Sequence, residues 1–260
     1  MKARTLLLAA SLLLPVALGS CGSDSASKGC QPRAVAWLGA LTGPARRPPH
    51  QNGAELAVHL YNAAHPECPV GYLFYDSQGD PDVAKRLARS IVDDPQIIAV
   101  VGPGFSGESA KAIPLFDKVD LATITASATN PTLAEQGWHT FHRVVSNDST
   151  QAPAAVAFLA EQLHVKRVAV VDDGSLYGQA LADIAAKDFG NRGIVVAPRT
   201  ALNPEGLDYG AIVSSIAEIG VDAVYYGGYI DPAVRLLRQL RDAGVTAAFM
   251  GGDEIGRAHV

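Results

Sequence analysis

The chain has 260 residues, 48% of them hydrophobic and 18% charged, enough apolar material for a sizeable core in one large domain or two small ones. Its formal net charge of −5 at pH 7 comes without any cluster of lysine and arginine, which argues against a nucleic-acid partner.

The N-terminus MKARTLLLAASLLLPVALGSC opens with Lys2 and Arg4, runs apolar from Leu6 to Leu18 and ends in small residues before Cys21. The apolar run is too short to span a bilayer easily, and the order of charge, apolar run and small residues is that of a signal peptide, here residues 1–20. Leu18-Gly19-Ser20-Cys21 resembles the lipobox of bacterial lipoproteins, in which the cysteine becomes the lipidated first residue. The other reading is an ordinary secretory signal with a coincidental cysteine. Residues 21–30 then hold the lipidated cysteine and a small, polar, flexible tether, GSDSASKG.

RAVAWLG (33–39) predicts a strand, HQNGAELAVHLYNAA a helix near 50–64, and VGYLFYD (70–76) a second strand. Export would leave Cys30 and Cys68 as a pair in an oxidising compartment, each just before one of these strands. If the strands are parallel neighbours, a bridge is plausible and worth about 4 kcal/mol in the loop-entropy view; two unpaired thiols are the alternative. DPDVAKRLARSIVDD predicts a helix with Asp80 as N-cap and Pro81 at its first position. A strand over 97–101, a helix over about 107–118 and a strand over 121–126 follow.

FHRVV (141–145) leads into a second series. Asn147-Asp148-Ser149 starts a helix of about 149–163, KRVAVVDD (166–173) is a strand, and YGQALADIAAKDFGNRG is a helix ending at Gly193. IVVAPRT, a helix near 208–219, DAVYYGG, DPAVRLLRQLRDAG and TAAFMGG complete it. Residues 97–126 and 222–251 share the order strand, glycine turn, helix, strand, with Gly102 opposite Gly227. The alternation implies βαβ units and an α/β fold of two Rossmann-like lobes, each a parallel sheet flanked by helices, with a cleft between them. Lobe boundaries are expected at 31–145 and 146–253. Ligands on such sheets bind beyond the carboxyl ends of the strands.

The stretch IIAVVGPGFSGESAKAIPLF supports three readings. GPGFSG fits the dinucleotide fingerprint G-x-G-x-x-G, but it follows the third strand, and the next strand ends in Thr125-Ala126-Ser127 with no acid for a ribose. GFSGE nearly fits the G-x-S-x-G nucleophile elbow, but Glu108 stands where a small residue is needed, and His50, His59, His65, His139, His142 and His164 are scattered. The third reading is anion capture without chemistry: exposed amides, the Ser106 hydroxyl and the positive end of the next helix. A plain strand-to-helix turn with Ser106 as N-cap stays open beside it.

Taken in order, GALTGP, NGAELAV, the GPGFS loop, ITASATNPTL, LYGQALA, DAVYYGGY and FMGGD span nearly all of residues 33–253. This set resembles the branched-chain amino-acid binding proteins of ABC importers, the leucine/isoleucine/valine-binding family with the type I periplasmic-binding fold. The resemblance implies that Ser106 holds a ligand carboxylate through hydroxyl and amide. Ser127, Ala128 and Thr129 would offer amide, carbonyl and hydroxyl groups to the same amino-acid head. Tyr177 and Tyr229 would close over the ligand from the second lobe, and Asp253 would meet its ammonium. It further implies no catalysis, no metal and no cofactor, an ABC permease as partner, and an extracytoplasmic location on a lipid anchor at Cys21. One departure concerns the loop after GALTGP, which reads ARRPPHQ: shorter than usual, without the family's aromatic, and carrying Arg46 and Arg47.

The family continues past the point where this chain stops. EIGRAHV (254–260) is what translation of a common sequencing adapter yields, so these residues are expected to be adapter read-through on a truncated chain, leaving the first lobe incomplete. The resulting reading is a solute-binding lipoprotein for an amino acid or amide. Its alternatives are a ligand-sensing module for a receptor and an exported serine hydrolase using Ser106.

Overall fold

A computed structural model describes residues 30–43, 46 and 48–255. The expected signal peptide, Cys21 and its tether through residue 29, Arg47, and residues 256–260 of the expected read-through lie outside the described residues. The chain divides into two units, Met1–Gln31 and Pro32–Val260. Only Cys30 and Gln31 of the first are described, and the fold is that of the second.

The first lobe runs β1 (Arg33–Gly39), α1 (Pro48–Ala64), β2 (Val70–Asp76), α2 (Pro81–Val92), β3 (Ile97–Val101), α3 (Ser106–Asp117), β4 (Ala122–Thr125) and β5 (Phe141–Arg143). A 3-10 turn, Pro131–Glu135, lies between the last two strands. The second lobe runs α4 (Asp148–Glu161), β6 (Arg167–Asp172), α5 (Leu176–Asn191), β7 (Val195–Ala201), α6 (Gly210–Ile219), β8 (Ala223–Gly227), α7 (Ile230–Asp242) and β9 (Ala248–Gly251). A short 3-10 turn, Asp253–Ile255, follows.

The sheets have the orders β2-β1-β3-β4-β5 and β7-β6-β8-β9, and every pairing is parallel. The second therefore repeats the first four positions of the first. Both take the form in which chain order reverses beside the first strand, which opens a crevice at the carboxyl ends of the central strands.

Strand alternation sorts the second lobe's core. Val168, Val170, Ala223 and Tyr225 face α4 and α5, with Phe189 edge-on to Tyr225 at 5.9 Å. Ala169, Val171, Val224 and Tyr226 face α6 and α7, with Phe249 stacked on Tyr226 at 6.2 Å. Central β8 is buried at every position, as a strand covered on both faces requires. Pro198 lies in β7, an edge strand where a missing amide is tolerated.

In the first lobe, Ala36, Leu38 and Val100 pack against Ala88 and Ile91 of α2 and Ala112 and Phe116 of α3. Asp80 caps α2 by accepting from Asp82 N–H at 2.7 Å and Val83 N–H at 3.0 Å. Phe74, Ile98 and Ile124 remain exposed on this sheet, as do Leu56 and Leu60 on α1. β1 and β2 are parallel neighbours from Arg33 opposite Val70 onward. Cys68, before β2, is disulfide-bonded, as is Cys30 before β1. No helix among the described residues is long and apolar enough to cross a membrane.

Two sequence expectations are corrected. The structural repeat pairs β3 with β8 and β4 with β9, which sets Gly102 opposite Gly228 rather than Gly227. The shift arises because β8 keeps Gly227 as its last residue. Gly102 and Gly228 are the positions that turn out of the strand, with φ of 117° and 151°. The second correction is that Ser106 is the first residue of α3, with Phe105 in the cap position.

At Gly102 a Cβ atom would lie 2.0 Å from the Leu38 carbonyl oxygen, so both φ and space demand glycine. Gly102→Ala is expected to cost about 2–5 kcal/mol, combining a left-handed backbone with overpacking. Gly174→Ala, at φ 73° with open space around it, should cost about 1–2 kcal/mol from the backbone alone. Urea unfolding of the two variants checks this; equal midpoints would refute the packing argument.

Candidate functional site

The loops at the carboxyl ends of the strands bring the expected residues into one chain of contacts. Phe105, buried at the entry to α3, sets its ring edge-on to Tyr229 of the second lobe, with centroids 5.1 Å apart. Tyr229 leads into α7 and is fixed by its own amide, which donates to Asp173 Oδ2 at 2.8 Å. Its ring lies 5.4 Å from that of Tyr177, in the first turn of α5. Tyr177 donates its hydroxyl proton to Asp253 Oδ1 at 2.9 Å. Burial, and then the Asp253 charge, pushes the Tyr177 hydroxyl far above the usual tyrosine range, so it stays a donor.

Gln151 ties Asp253 to Asp148. Its Nε2 donates to Asp253 Oδ1 at 3.0 Å and to Asp148 Oδ1 at 2.6 Å, and its Oε1 accepts from Asp253 N–H at 3.0 Å. Asp148 opens α4, and its amide donates to Thr129 O at 3.0 Å. The circuit closes where Asn130 N–H donates to Ser106 Oγ at 3.2 Å. Asn130 also reaches across, its Nδ2 donating to Leu176 O at 2.8 Å. Ser106, Thr129, Tyr177, Tyr229 and Asp253 therefore meet around one place.

Their chemistry differs along that circuit. The Ser106 hydroxyl accepts from Asn130, which leaves its proton to donate. Ser127 is used internally: its hydroxyl donates to Gly104 O at 2.5 Å and braces the glycine loop against the β4 exit. Ala128 is buried, its amide donating to Thr125 Oγ1 at 3.1 Å and its carbonyl accepting from Arg143 at 3.3 Å.

Thr129 Oγ1, Asp148 Oδ2 and Tyr225 Oη are buried in this region, and the Thr129 hydroxyl faces the Asp148 carboxyl. Burial pushes the Asp148 carboxyl up, and the Asp253 charge adds to this, while Gln151, Thr129 and Arg143 pull it down. The Tyr225 hydroxyl is pushed above its usual range by burial and by Asp148 and Asp253.

A cavity of about 290 Å³ adjoins the site, with Phe105 and Tyr229 shared between them. Asp173, Glu205, Asp231 and Arg235 supply its charged lining. Ser106, Ser127, Ala128, Thr129, Tyr177 and Asp253 do not line it. At the start of the GALTGP loop, Asp76 Oδ1 accepts from Leu41 N–H at 2.9 Å and Oδ2 from the Thr42 hydroxyl at 2.5 Å, fixing how the loop leaves β1. Arg46 is exposed, and its amide donates to Gly43 O at 3.3 Å. Among the described residues no histidine hydrogen-bonds Ser106; His65 pairs with Glu67, and His139 with Asp117 and Asp120.

Asp148, Gln151 and Phe105 belong to the site and were not singled out from sequence. Asp148 and Gln151 stand three apart on one helical face, a spacing that also serves any ordinary helix start.

The periplasmic binding protein family matches residues 32–256. The leucine-, isoleucine-, valine-, threonine- and alanine-binding protein of Pseudomonas aeruginosa is 31% identical over 248 residues, covering 94% of this chain and 66% of that protein. The Leu/Ile/Val-binding protein of Escherichia coli is 31% identical over 227 residues, covering 85% of this chain and 61% of that protein. The chain thus spans under two-thirds of these relatives' length. Among solved structures, the leucine binding protein LivK of Thermotoga maritima superposes with a TM-score of 0.78 at 23% identity, covering 86% of this chain and 64% of that one. At that identity the likeness speaks to the fold, which agrees with the two parallel sheets above. The chain belongs to the periplasmic binding protein family, a family of substrate-binding proteins.

Proposed function

We propose that this chain is the capture component for an amino acid, branched-chain or closely related, or for a small amide, serving an ABC importer. The observation that carries the proposal is the closed circuit of side-chain and backbone contacts that joins Ser106 and Thr129 of one lobe to Tyr177, Tyr229 and Asp253 of the other. The names of the relatives, which bind leucine, isoleucine and valine, support the ligand class.

On this reading Ser106 donates to the ligand carboxylate at the positive end of α3. Asp148, with the Thr129 hydroxyl beside it, receives the ammonium together with Asp253. Ser127 and Ala128 hold the β4 loop in place beside the amino-acid head. Phe105, Tyr177 and Tyr229 supply the apolar wall. Charge-assisted hydrogen bonds contribute roughly 1.5–3 kcal/mol each, and burying an aliphatic side chain adds about 1.5–3 kcal/mol. A few of these, less the cost of ordering, reach the roughly −8 kcal/mol of a micromolar site. Because the contributing groups are divided between two lobes, ligand favours the state in which the lobes meet, and that state is what a permease would read. No step of catalysis is needed for this role. The chain acts outside the cytoplasm, held by lipid on Cys21, with a Cys30–Cys68 bridge suited to that compartment.

Calorimetric titration with leucine, isoleucine, valine, alanine and small amides checks the ligand class. At least one should bind at micromolar level, and failure of the whole panel would overturn the proposal. Ser106→Ala should weaken the binder by roughly 10–100-fold through loss of a charge-assisted bond. Asp148→Asn keeps the shape and removes the charge, and should cost a similar factor for an ammonium-bearing ligand. If the same ligand binds Asp148→Asn and the parent equally, Asp148 has no part in the site.

A further inference from the structure

Glu108 is the third residue of α3 and is 0% exposed. Its Oε2 accepts from Phe105 N–H at 3.1 Å. The Gly104 amide and the Ser77 hydroxyl also face the carboxyl group. Its Oε1 is buried as well. One side chain thus underlies the turn Gly104–Phe105–Ser106, whose carbonyl at Gly104 braces Ser127. On the proposed reading a ligand carboxylate lies at the Ser106 hydroxyl, two residues before Glu108 in α3.

A carboxyl group buried this deeply resists ionisation. Burial pushes Glu108 up to about 7, against the pull of Ser77, Phe105 and Gly104. Asp80, the N-cap of α2, pushes in the same direction through its charge. On the α2–α3 face the nearest ion pair is Lys111 with Asp82 at 3.3 Å. Across the cleft, Asp173 lines the same cavity as Phe105. From α5, which also touches α3, Tyr177 is held neutral.

We propose that Glu108 is a proton-linked positioning residue for anion capture: neutral, it supports the Ser106 turn without a charge beneath the ligand, and ionised, it opposes the ligand carboxylate. This rests on reading the Ser106 turn as a carboxylate cradle. Capture above neutral pH then takes up a proton from solvent at Glu108. The sign is fixed by linkage. A raised acid in the folded state means the unfolded chain binds fewer protons between its ordinary midpoint and about 7, so stability falls as pH rises through that window. A bound carboxylate raises the midpoint further, so affinity falls as pH rises from about 7 through the ligand-bound midpoint.

L-Leucine is the probe, since it stays zwitterionic throughout. Between roughly pH 6 and 8, the dissociation constant for the parent chain should rise by about fivefold if the ligand raises the Glu108 midpoint by one unit. Glu108→Gln should bind leucine with little dependence on pH. Without ligand, the melting temperature of the parent should fall with rising pH relative to Glu108→Gln. Titrating the parent in buffers of different ionisation enthalpy gives a readout free of mutation, and fractional proton uptake near pH 7.5 is expected. Leucine binding with the same pH slope in both proteins, or with no proton uptake, overturns the linkage alone. Absence of leucine binding at every pH, with the ligand-free difference intact, overturns the amino-acid reading and the linkage with it.

Discussion

A carboxylate closed away from water must be matched by donors or by positive charge, and Asp148 imposes that demand on the cleft. Gln151 serves one of its oxygens, and the Thr129 hydroxyl faces the carboxyl group. The same Gln151 amide donates to Asp253, so a neutral side chain holds two acids close together. Burial pushes the Asp148 carboxyl up, and repulsion from Asp253 adds to that push. Donors from Gln151 and Tyr177 partly offset it, and no lysine or arginine completes a salt bridge to either acid among the described residues. Arg143, which acts on Asp148 through space, spends its hydrogen bonds on the Ala128 and Asn130 carbonyls.

The arrangement also explains why the site needs both sheets. The Ser106 turn hangs on β3 and is braced by the β4 exit through Ser127 and Thr125, whose hydroxyl donates to Pro103 O at 2.7 Å. Tyr229 hangs on β8 and is braced by the β6 exit through Asp173. Each lobe thus fixes its contribution with a hydrogen bond between loops leaving adjacent strands, from the β4 side in the first lobe and from the β6 side, the counterpart of β1, in the second. Rigid loops on separate sheets can approach or part without losing their own geometry, which is what hinge closure requires.

Much of this was legible from the residues, for identifiable reasons. Strands β1, β2 and β3 have the bounds that their apolar runs predict, because Gly, Pro and Asp punctuate them. Asp80 caps α2 because its side chain reaches two free amides, a local event that needs no tertiary information. The parallel alternation gave the cleft its place. What escaped was set by packing. Ser106 reads as an N-cap until the chain direction out of β3 makes Phe105 the cap. Gly102 and Gly227 look equivalent until β8 proves to retain Gly227. Gln151 is an unremarkable helical glutamine until Asp253, 102 residues away, arrives beside it. Glu108 counted only against a nucleophile elbow, and its burial under the turn has no one-dimensional signature.

On the proposed reading the two ends of the ligand meet opposite strategies. Around Ser106 the groups are neutral donors at a helix start, with the nearest acid, Glu108, buried where ionisation is resisted. Around Asp148 and Asp253 the groups are acids that lack a cation. A plain carboxylic acid would satisfy only the first end and leave these acids without a cation; a plain amine would satisfy only the second and leave the Ser106 turn without its acceptor. Either partial ligand gains the attraction of one end while still closing the other away from water. An α-amino acid carries both charges on adjacent carbons, so a single small molecule matches both ends at once. Selection against singly charged solutes then follows from unmatched burial at the vacant end, and the aromatic wall is left to discriminate among side chains.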